Sequence, residues 1–441
     1  MKPTDAIPHP DDWETTTVAK DIVIKRGISW SKAQEYGEPN QSRAPVIRIG
    51  NVQDKLILDD LLYLTGLTPA AIEKKRVTNG WSVIVGSNGN RKRVGNAVFV
   101  KDGLDLLFAS FLIAACPKTE SKLRPNYFFR WLTSEQVQAY LSASSEGTTG
   151  LNNLSHSFFR SMTIPFPSSQ KEQNAITCIL DAVDKLIKQT QESIERARDV
   201  KKSLVQHLFE RGLRRETLQK TAIGLIPESW DVMPLRSVVA EFQYGLSIEM
   251  ASKGEYPILR MGNIQAGEIL LEDLKYIDLP PKIANRYLLK RGDVLFNRTN
   301  SQEHVGKIGI YRSDGQAVFA SYLIRLFPDE TKIDRYFLGQ LLASYSAQCR
   351  IKRYATPGVQ QVNINAKNLG RVLIPVPPGK AGLQEQREIA TILEQADENV
   401  RRYQPVLKAL TDLKRALMHD LLTGRVRVNH AIDQILSKEA S

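Results

Sequence analysis

Ser169-Gln170-Lys171-Glu172-Gln173-Asn174-Ala175-Ile176 opens the stretch that decides the fold. From there Ile176, Leu180, Val183, Ile187, Thr190, Ile194, Ala197, Lys201, Leu204 and Leu208 recur at alternating steps of four and three. Such steps keep one set of side chains in a seam along an α-helix. Ser169 and Glu172 have the spacing of a capping box. Gly212 suits the left-handed turn that closes a helix. A seam of roughly 40 residues makes a rod about 60 Å long. So narrow and sustained a stripe fits pairing with a second helix better than packing on a broad globular face.

The second helix lies in the same chain. Ile389, Leu393, Ala396, Val400, Tyr403, Leu407, Leu410, Lys414, Leu417 and Leu421 repeat every step, and Gly424 follows. A lysine takes the same slot in both seams, Lys201 and Lys414. Two helices related by a two-fold axis across them run antiparallel, so whatever each carries is expected at opposite ends of the rod. Pro405 falls inside the second seam, where it removes a backbone donor, and a bend is expected before it.

Outward from the helices the whole chain is duplicated. Ile47-Arg48-Ile49-Gly50-Asn51-Val52-Gln53 returns as Leu259-Arg260-Met261-Gly262-Asn263-Ile264-Gln265. Phe108-Ala109-Ser110-Phe111-Leu112-Ile113 returns as Phe319-Ala320-Ser321-Tyr322-Leu323-Ile324, and Ile164-Pro165-Phe166-Pro167 as Ile374-Pro375-Val376-Pro377. Before each helix, short apolar runs alternate with Gly, Asn and Pro, as in a strand-rich domain. Strands are expected at 46–49, 82–85, 97–100 and 106–109, and a helix at 126–143. The fold class is therefore α+β, with two strand-rich domains joined by two long helices that form an antiparallel coiled-coil spacer and an internal pseudo-two-fold repeat. The boundaries read as a first domain at 1–168, spacer helix one at 169–212, a linker at 213–226, a second domain at 227–378, spacer helix two at 379–424 and a tail at 425–441.

The 441 residues are enough for two domains with cores of their own. Three scattered cysteines fit a reducing cytoplasm and argue against a disulfide framework or a cysteine-based zinc site. The longest apolar stretch, residues 104–116, is too short and interrupted to span a bilayer, and the first residues lack the apolar core of a signal peptide. The formal charge of +12 suits a polyanionic partner.

Catalytic patterns are missing. No Asn/Asp-Pro-Pro-Tyr holds a target amine. Gly379-Lys380 lacks the rest of a phosphate-binding loop, and Gly86-Ser87-Asn88-Gly89 does not extend to a dinucleotide fingerprint. Glu330-Thr331-Lys332 resembles a nuclease Glu-x-Lys but sits in an expected loop without a second carboxylate. The six histidines show no metal-ligand spacing, and His207 and His419 fall in the long helices. No catalytic residue, cofactor site or metal site is expected in this chain.

Reading DNA needs Arg, Lys, Asn and Gln at base edges and further cations on phosphates. Four polar loops offer them: Asn88, Asn90, Arg91, Lys92 and Arg93; Thr149, Asn152 and Asn153; Asn297, Arg298, Asn300 and Gln302 with Lys307; and Gln360, Gln361 and Asn363. Each loop taken singly could be a solvated turn. Their matched places and different residues are what two readers of different short sequences would show. Gly50-Asn51 with Gln53, and Gly262-Asn263 with Gln265, are alike in both copies and read as scaffold turns or as base contacts.

The order of these parts resembles the specificity subunit of type I restriction–modification systems. The matching residues are Ile164-Pro165-Phe166-Pro167 with Glu172-Gln173-Asn174-Ala175-Ile176, Ile374-Pro375-Val376-Pro377 with Glu385-Gln386-Arg387-Glu388-Ile389, and Ile226-Pro227-Glu228-Ser229-Trp230, with Ile7-Pro8 and Trp13 as a looser counterpart. The resemblance implies two target-recognition domains that each read half of a split double-stranded DNA site, and a spacer that sets the gap. It implies two modification subunits that bind S-adenosylmethionine, and restriction subunits that hydrolyse ATP with Mg. A fused methyltransferase would need a cofactor-binding domain, for which no segment is free. A coiled-coil adaptor without DNA contact is the other alternative, and the diverged basic loops argue against it.

Overall fold

Both seams form the helices that their spacing predicts, over Gln170–Arg211 and Gly379–Leu422. The structure, a computed structural model, describes residues 7–40, 43–147, 150–214, 216–265, 267–358 and 361–428. Every seam residue of the first helix is buried or half-buried, while most residues between them are exposed. In the second helix Tyr403 alone stands out of the seam, at 39% exposure. The second helix runs on through Pro405.

The chain divides into two compact units, residues 1–191 with 406–441 and residues 192–405. The dividing line cuts each long helix near its middle. Each unit therefore holds one strand-rich domain and a half of both helices, a grouping that differs from the helix-by-helix boundaries expected from sequence.

In the first unit Trp13–Thr17 pairs antiparallel with Thr163–Pro167. A four-stranded antiparallel sheet follows in the order Ile22–Arg26, Leu112–Pro117, Ser82–Val85, Ala97–Phe99. A second four-stranded sheet, mixed, runs Glu35–Tyr36, Leu62–Leu64, Ala44–Ile47, Leu107–Phe108, its last pair parallel. The helix expected at 126–143 is two helices, Pro125–Leu132 and Glu135–Ala143. At the break the Thr133 and Ser134 hydroxyls donate to the Phe129 and Trp131 carbonyls. The core gathers Tyr127, Phe128, Trp131, Phe159 and Phe166 around Ile176 and Leu180 of the first helix and Leu421 and Leu422 of the second. The start of one helix thus lies beside the end of the other, and here they run antiparallel.

The second unit repeats the plan on its own residues. Asp231–Pro234 pairs with Leu373–Val376. A six-stranded sheet includes Val239–Tyr244, Leu323–Pro328 and Val294–Asn297 as consecutive neighbours. Trp230 and Phe337 pack with Leu208 and Phe209 of the first helix and Ile389 and Leu393 of the second, again antiparallel. The 213–226 stretch, expected as a bare linker, contains a hairpin of Leu218–Thr221 and Gly224–Pro227.

The Glu-Gln that opens each helix is a joint. Gln173 accepts from the Arg124 amide at 2.8 Å and donates to the Lys122 and Pro167 carbonyls. Gln386 does the same with Asp334, Lys332 and Pro377. Each glutamine so ties the helix start to the last strand and to a domain turn. Glu172 takes both its partners from Arg427, at 2.8 and 3.0 Å, so its role is this pairing and not the expected capping. Glu385 accepts from the Leu213 amide and pairs with Arg214. The closing glycines have positive φ, +62° at Gly212 and +69° at Gly424, which side chains resist. They also sit against the entrance tryptophans: a Cβ on Gly212 would lie 3.3 Å from Trp230, and one on Gly424 would lie 3.1 Å from Trp13 and 2.4 Å from Pro10.

Candidate nucleic-acid interface

In each unit the two expected loops, far apart in sequence, meet in one small sheet. Asn152–Asn153 pairs with Glu146–Gly147 on one side and Ser87–Asn88 on the other. Val362–Asn363 pairs with Thr356–Pro357 and Thr299–Asn300. The joints correspond: the Leu154 amide donates to the Gly86 carbonyl and the Ile364 amide to the Arg298 carbonyl, both at 2.8 Å.

Within this frame many expected readers hold the frame itself. The Asn88 side chain accepts from the Asn90 amide, and that of Asn90 from Lys92, which shapes the Arg91–Arg93 turn. Arg91 is exposed but engaged within the domain. Its guanidinium caps the helix Glu135–Ala143, donating to the Ser142 and Ala143 carbonyls and to the Ser145 hydroxyl. Arg93 donates to the Val52 carbonyl at 2.7 Å. Asn152 bonds the Asn88 and Gly89 carbonyls, and Asn153 accepts from the Ser87 hydroxyl. Among the described residues no carboxylate pairs with the exposed Lys92. Thr149 lies outside the described residues.

In the second unit Asn297 is a correction: it is fully buried at the end of its strand, where its side chain cannot reach a ligand at the surface. Asn300 accepts from the Ser301 amide. Arg298 lies over the Tyr244 ring at 5.1 Å and donates to the Ser321 carbonyl at 3.4 Å. Gln302 and Gln361 are exposed, and Lys307 and Asn363 are half-buried. Gln360 lies outside the described residues.

The turns alike in both copies are scaffold. Asn51 accepts from the Arg48 amide and donates to the Ile57 and Asp60 carbonyls, while Arg48 pairs with Asp60. Asn263 repeats the pattern with Arg260, Leu270, Glu272 and Asp273. Gln53 and Gln265 bond the carbonyls of Gly50 and Gly262.

Residues that the sequence reading passed over stand beside the small sheets. The Gly86 amide donates to the Phe111 carbonyl and the Arg298 amide to the Tyr322 carbonyl. Both aromatics project from the surface, Phe111 at 52% exposure and Tyr322 at 39%. A repeated aromatic flanked by buried neighbours was the available signal. Arg26 ends the edge strand of the first sheet, next to His156, whose pKa is lowered by burial and by the charges of Arg26 and Arg160. An open cavity of about 560 Å³ adjoins Phe111, with Trp30, Glu35, Arg48, Asn51 and Asp60 in its wall. Its charged groups are engaged: Arg48 with Asp60, and Glu35 with the Trp30 indole at 2.7 Å.

The exposed amides and aromatics of this arrangement suit hydrogen bonding and stacking. Glu330 and Lys332, the nuclease-like pair, are consumed by Arg335 and Asp329. Among the described residues no group of His, Cys, Asp and Glu could hold a metal ion, and no helix is long and apolar enough to cross a membrane.

Comparison with known proteins agrees with the duplicated plan. The model of the type I restriction modification DNA specificity domain matches twice, at residues 10–196 and 227–405. A putative type I restriction enzyme MjaX specificity subunit of Methanocaldococcus jannaschii is 34% identical over 218 residues, covering 48% of this chain and 50% of that protein. The StySPI specificity subunit of Salmonella potsdam is 25% identical over 97% of this chain and 88% of its own. The crystal structure of the S subunit from M. genitalium superposes with a TM-score of 0.60 at 16% identity, over 96% of this chain and 99% of that one. With both domains matched by one model, the chain belongs to the family of type I restriction–modification specificity subunits.

Proposed function

We propose that each strand-rich domain reads one half of a split double-stranded DNA target and that the two long helices set the gap between the halves. The observation that carries this is the contrast between frame and loops. Asn51 and Asn263, or Gln173 and Gln386, make the same bonds in both copies. The small sheets carry Ser87-Asn88 with Asn152-Asn153 in one copy and Thr299-Asn300 with Val362-Asn363 in the other. A frame kept while its polar edge changes is what two different half-sites require. The net charge of +12 supports a polyanionic ligand.

In this reading the helix pair also docks two modification subunits, which carry S-adenosylmethionine and methylate adenine. Restriction subunits that use ATP and Mg complete a cytoplasmic complex. The chain itself contributes selection and no chemistry. Methylome sequencing of cells with and without the gene tests it: a methylated bipartite motif should vanish with the gene. The purified chain alone should transfer no methyl groups. A methylome unchanged by deletion, or methyl transfer by the chain alone, defeats the reading.

A further inference from the structure

We infer that Arg26 in the first unit and Arg298 in the second are the guanine-reading arginines of the two half-sites, brought to equivalent edges from different strands. The inference rests on the DNA-reading function proposed above and names the residues that would perform it.

The equivalence comes from the backbone. Gly27 and Gly245 occupy the same position: a Cβ on Gly27 would lie 2.0 Å from the Ala109 carbonyl oxygen, and one on Gly245 would lie 2.3 Å from that of Ala320. The Ile28 and Leu246 amides then donate to Phe108 and Phe319. Arg26, just before Gly27, therefore corresponds to Tyr244, just before Gly245. Gly86 corresponds to Arg298 through the shared bonds to Phe111 and Tyr322. Where the first unit has arginine and glycine, the second has tyrosine and arginine. The cation has changed strands while staying next to the small sheet and its exposed aromatic.

Neither arginine is committed. Among the described residues no carboxylate pairs with Arg26 or Arg298, and the bond from Arg298 to Ser321 is long at 3.4 Å. Four other arginines of these domains are spent, Arg91 and Arg93 on carbonyls, Arg48 and Arg260 on carboxylates. The Tyr244 ring holds the Arg298 guanidinium in place, and its Nε is buried. Of the two terminal nitrogens, Nη1 makes only the long bond to Ser321 and Nη2 has no partner among the described residues. A planar fork held in this way matches the O6 and N7 acceptors of guanine in the major groove. In the first unit a second cation, Arg160, shares the surroundings of His156 with Arg26, and its counterpart in the second, Gly370, carries no charge. The first reader should accordingly be the more salt-sensitive.

The test uses the full chain in complex with its modification subunits, on DNA targets randomised in one half at a time. Arg26→Gln should relax one base position in one half by about tenfold or more. Arg298→Gln should do so in the other half. Arg298→Lys keeps the charge but not the fork, and should lose the base preference while retaining affinity for unrelated DNA. Loss spread evenly over all sequences, with a shallower salt dependence, would make these phosphate contacts and overturn the inference. So would an unchanged preference in folded variants. A wild-type complex with no bipartite preference would instead defeat the DNA-reading function itself.

Discussion

Lys414 crosses from the second long helix to Asp184 of the first at 2.7 Å, and Lys201 makes the mirror pairing with Asp397. These are the two seam lysines. Lys201 follows Asp184 along its helix by the same number of residues as Lys414 follows Asp397. Each pairing is also gripped by its domain. Arg130 bonds Asp181 and Asp184, while Gln340 and Arg312 bond Glu394. Gln340 bonds Asp397 as well, at 2.6 Å.

The two pairings should differ in worth. Asp397 is 6% exposed and Asp184 35%. Removing a partner costs most where the remaining charge cannot be hydrated. Lys201→Ala should therefore destabilise by about 2–3 kcal/mol, with Gln340 and Arg312 limiting the loss, and Lys414→Ala by about 1 kcal/mol or less. Urea midpoints of the two variants measure it. Equal costs would show that burial does not decide the difference.

Acid should loosen the helix–domain joints. Burial pushes the carboxyls of Asp184 and Glu394 up, but bonds from Lys414 and Arg130 to the first, and from Arg312 to the second, outweigh it and leave both lowered. A carboxyl lowered by folding stabilises above its unfolded pKa, near 4, and that contribution is lost as pH falls through the folded value. Stability should be insensitive to these groups from pH 6 to 8 and decline below about 4. The double variant Asp184→Asn with Glu394→Gln should flatten the acid limb of the urea midpoint against pH. An unchanged limb would exclude the linkage.

Arg91→Ala should unfold more readily without changing what DNA is preferred. It strips the end of a helix of its donors, at a cost of about 1–2 kcal/mol. Thermal melting and half-site randomisation together check this. A changed base preference at full stability would return Arg91 to the readers.

That case shows where sequence stops. The seams, the duplication and the helix ends were legible because each is written in local spacing, as with Ile176 to Leu208. The Glu-Gln motif was visible, but its work was not: Gln173 bonds Lys122 and Arg124, and no spacing rule connects them. The basic turn Arg91-Lys92-Arg93 looks like a ligand surface in one dimension. Its partners are the carbonyls of Ser142, Ala143 and Val52, brought in by the fold. Arg26 was hidden for the converse reason, lying in an ordinary strand pattern whose edge becomes exposed only in three dimensions.

Pro405→Ala should stabilise the chain. Proline inside a helix removes a bond and crowds the preceding turn, at about 3 kcal/mol. Part of that is returned because proline also restricts the unfolded chain. A net gain of about 2 kcal/mol is expected at this exposed position. It would be read as a higher thermal midpoint. No gain would mean that the helix already accommodates the ring without loss.

The contacts of Gly424 with Pro10 and Trp13 are the counterparts of those of Gly212 with Pro227 and Trp230. Around Gly212 the two sides are joined covalently through residues 213–226. Around Gly424 they are held by packing and by Arg427, which pairs with Asp12 at 2.8 Å and with Glu172. The Gly424 joint brings together residues far apart in the chain, and the Gly212 joint residues that are close in it. Folding must therefore close that joint against the entropy of the entire intervening chain, whereas the bridged joint closes only a short loop. Arg427, with its two carboxylates, sits where a covalent link would otherwise have done that work.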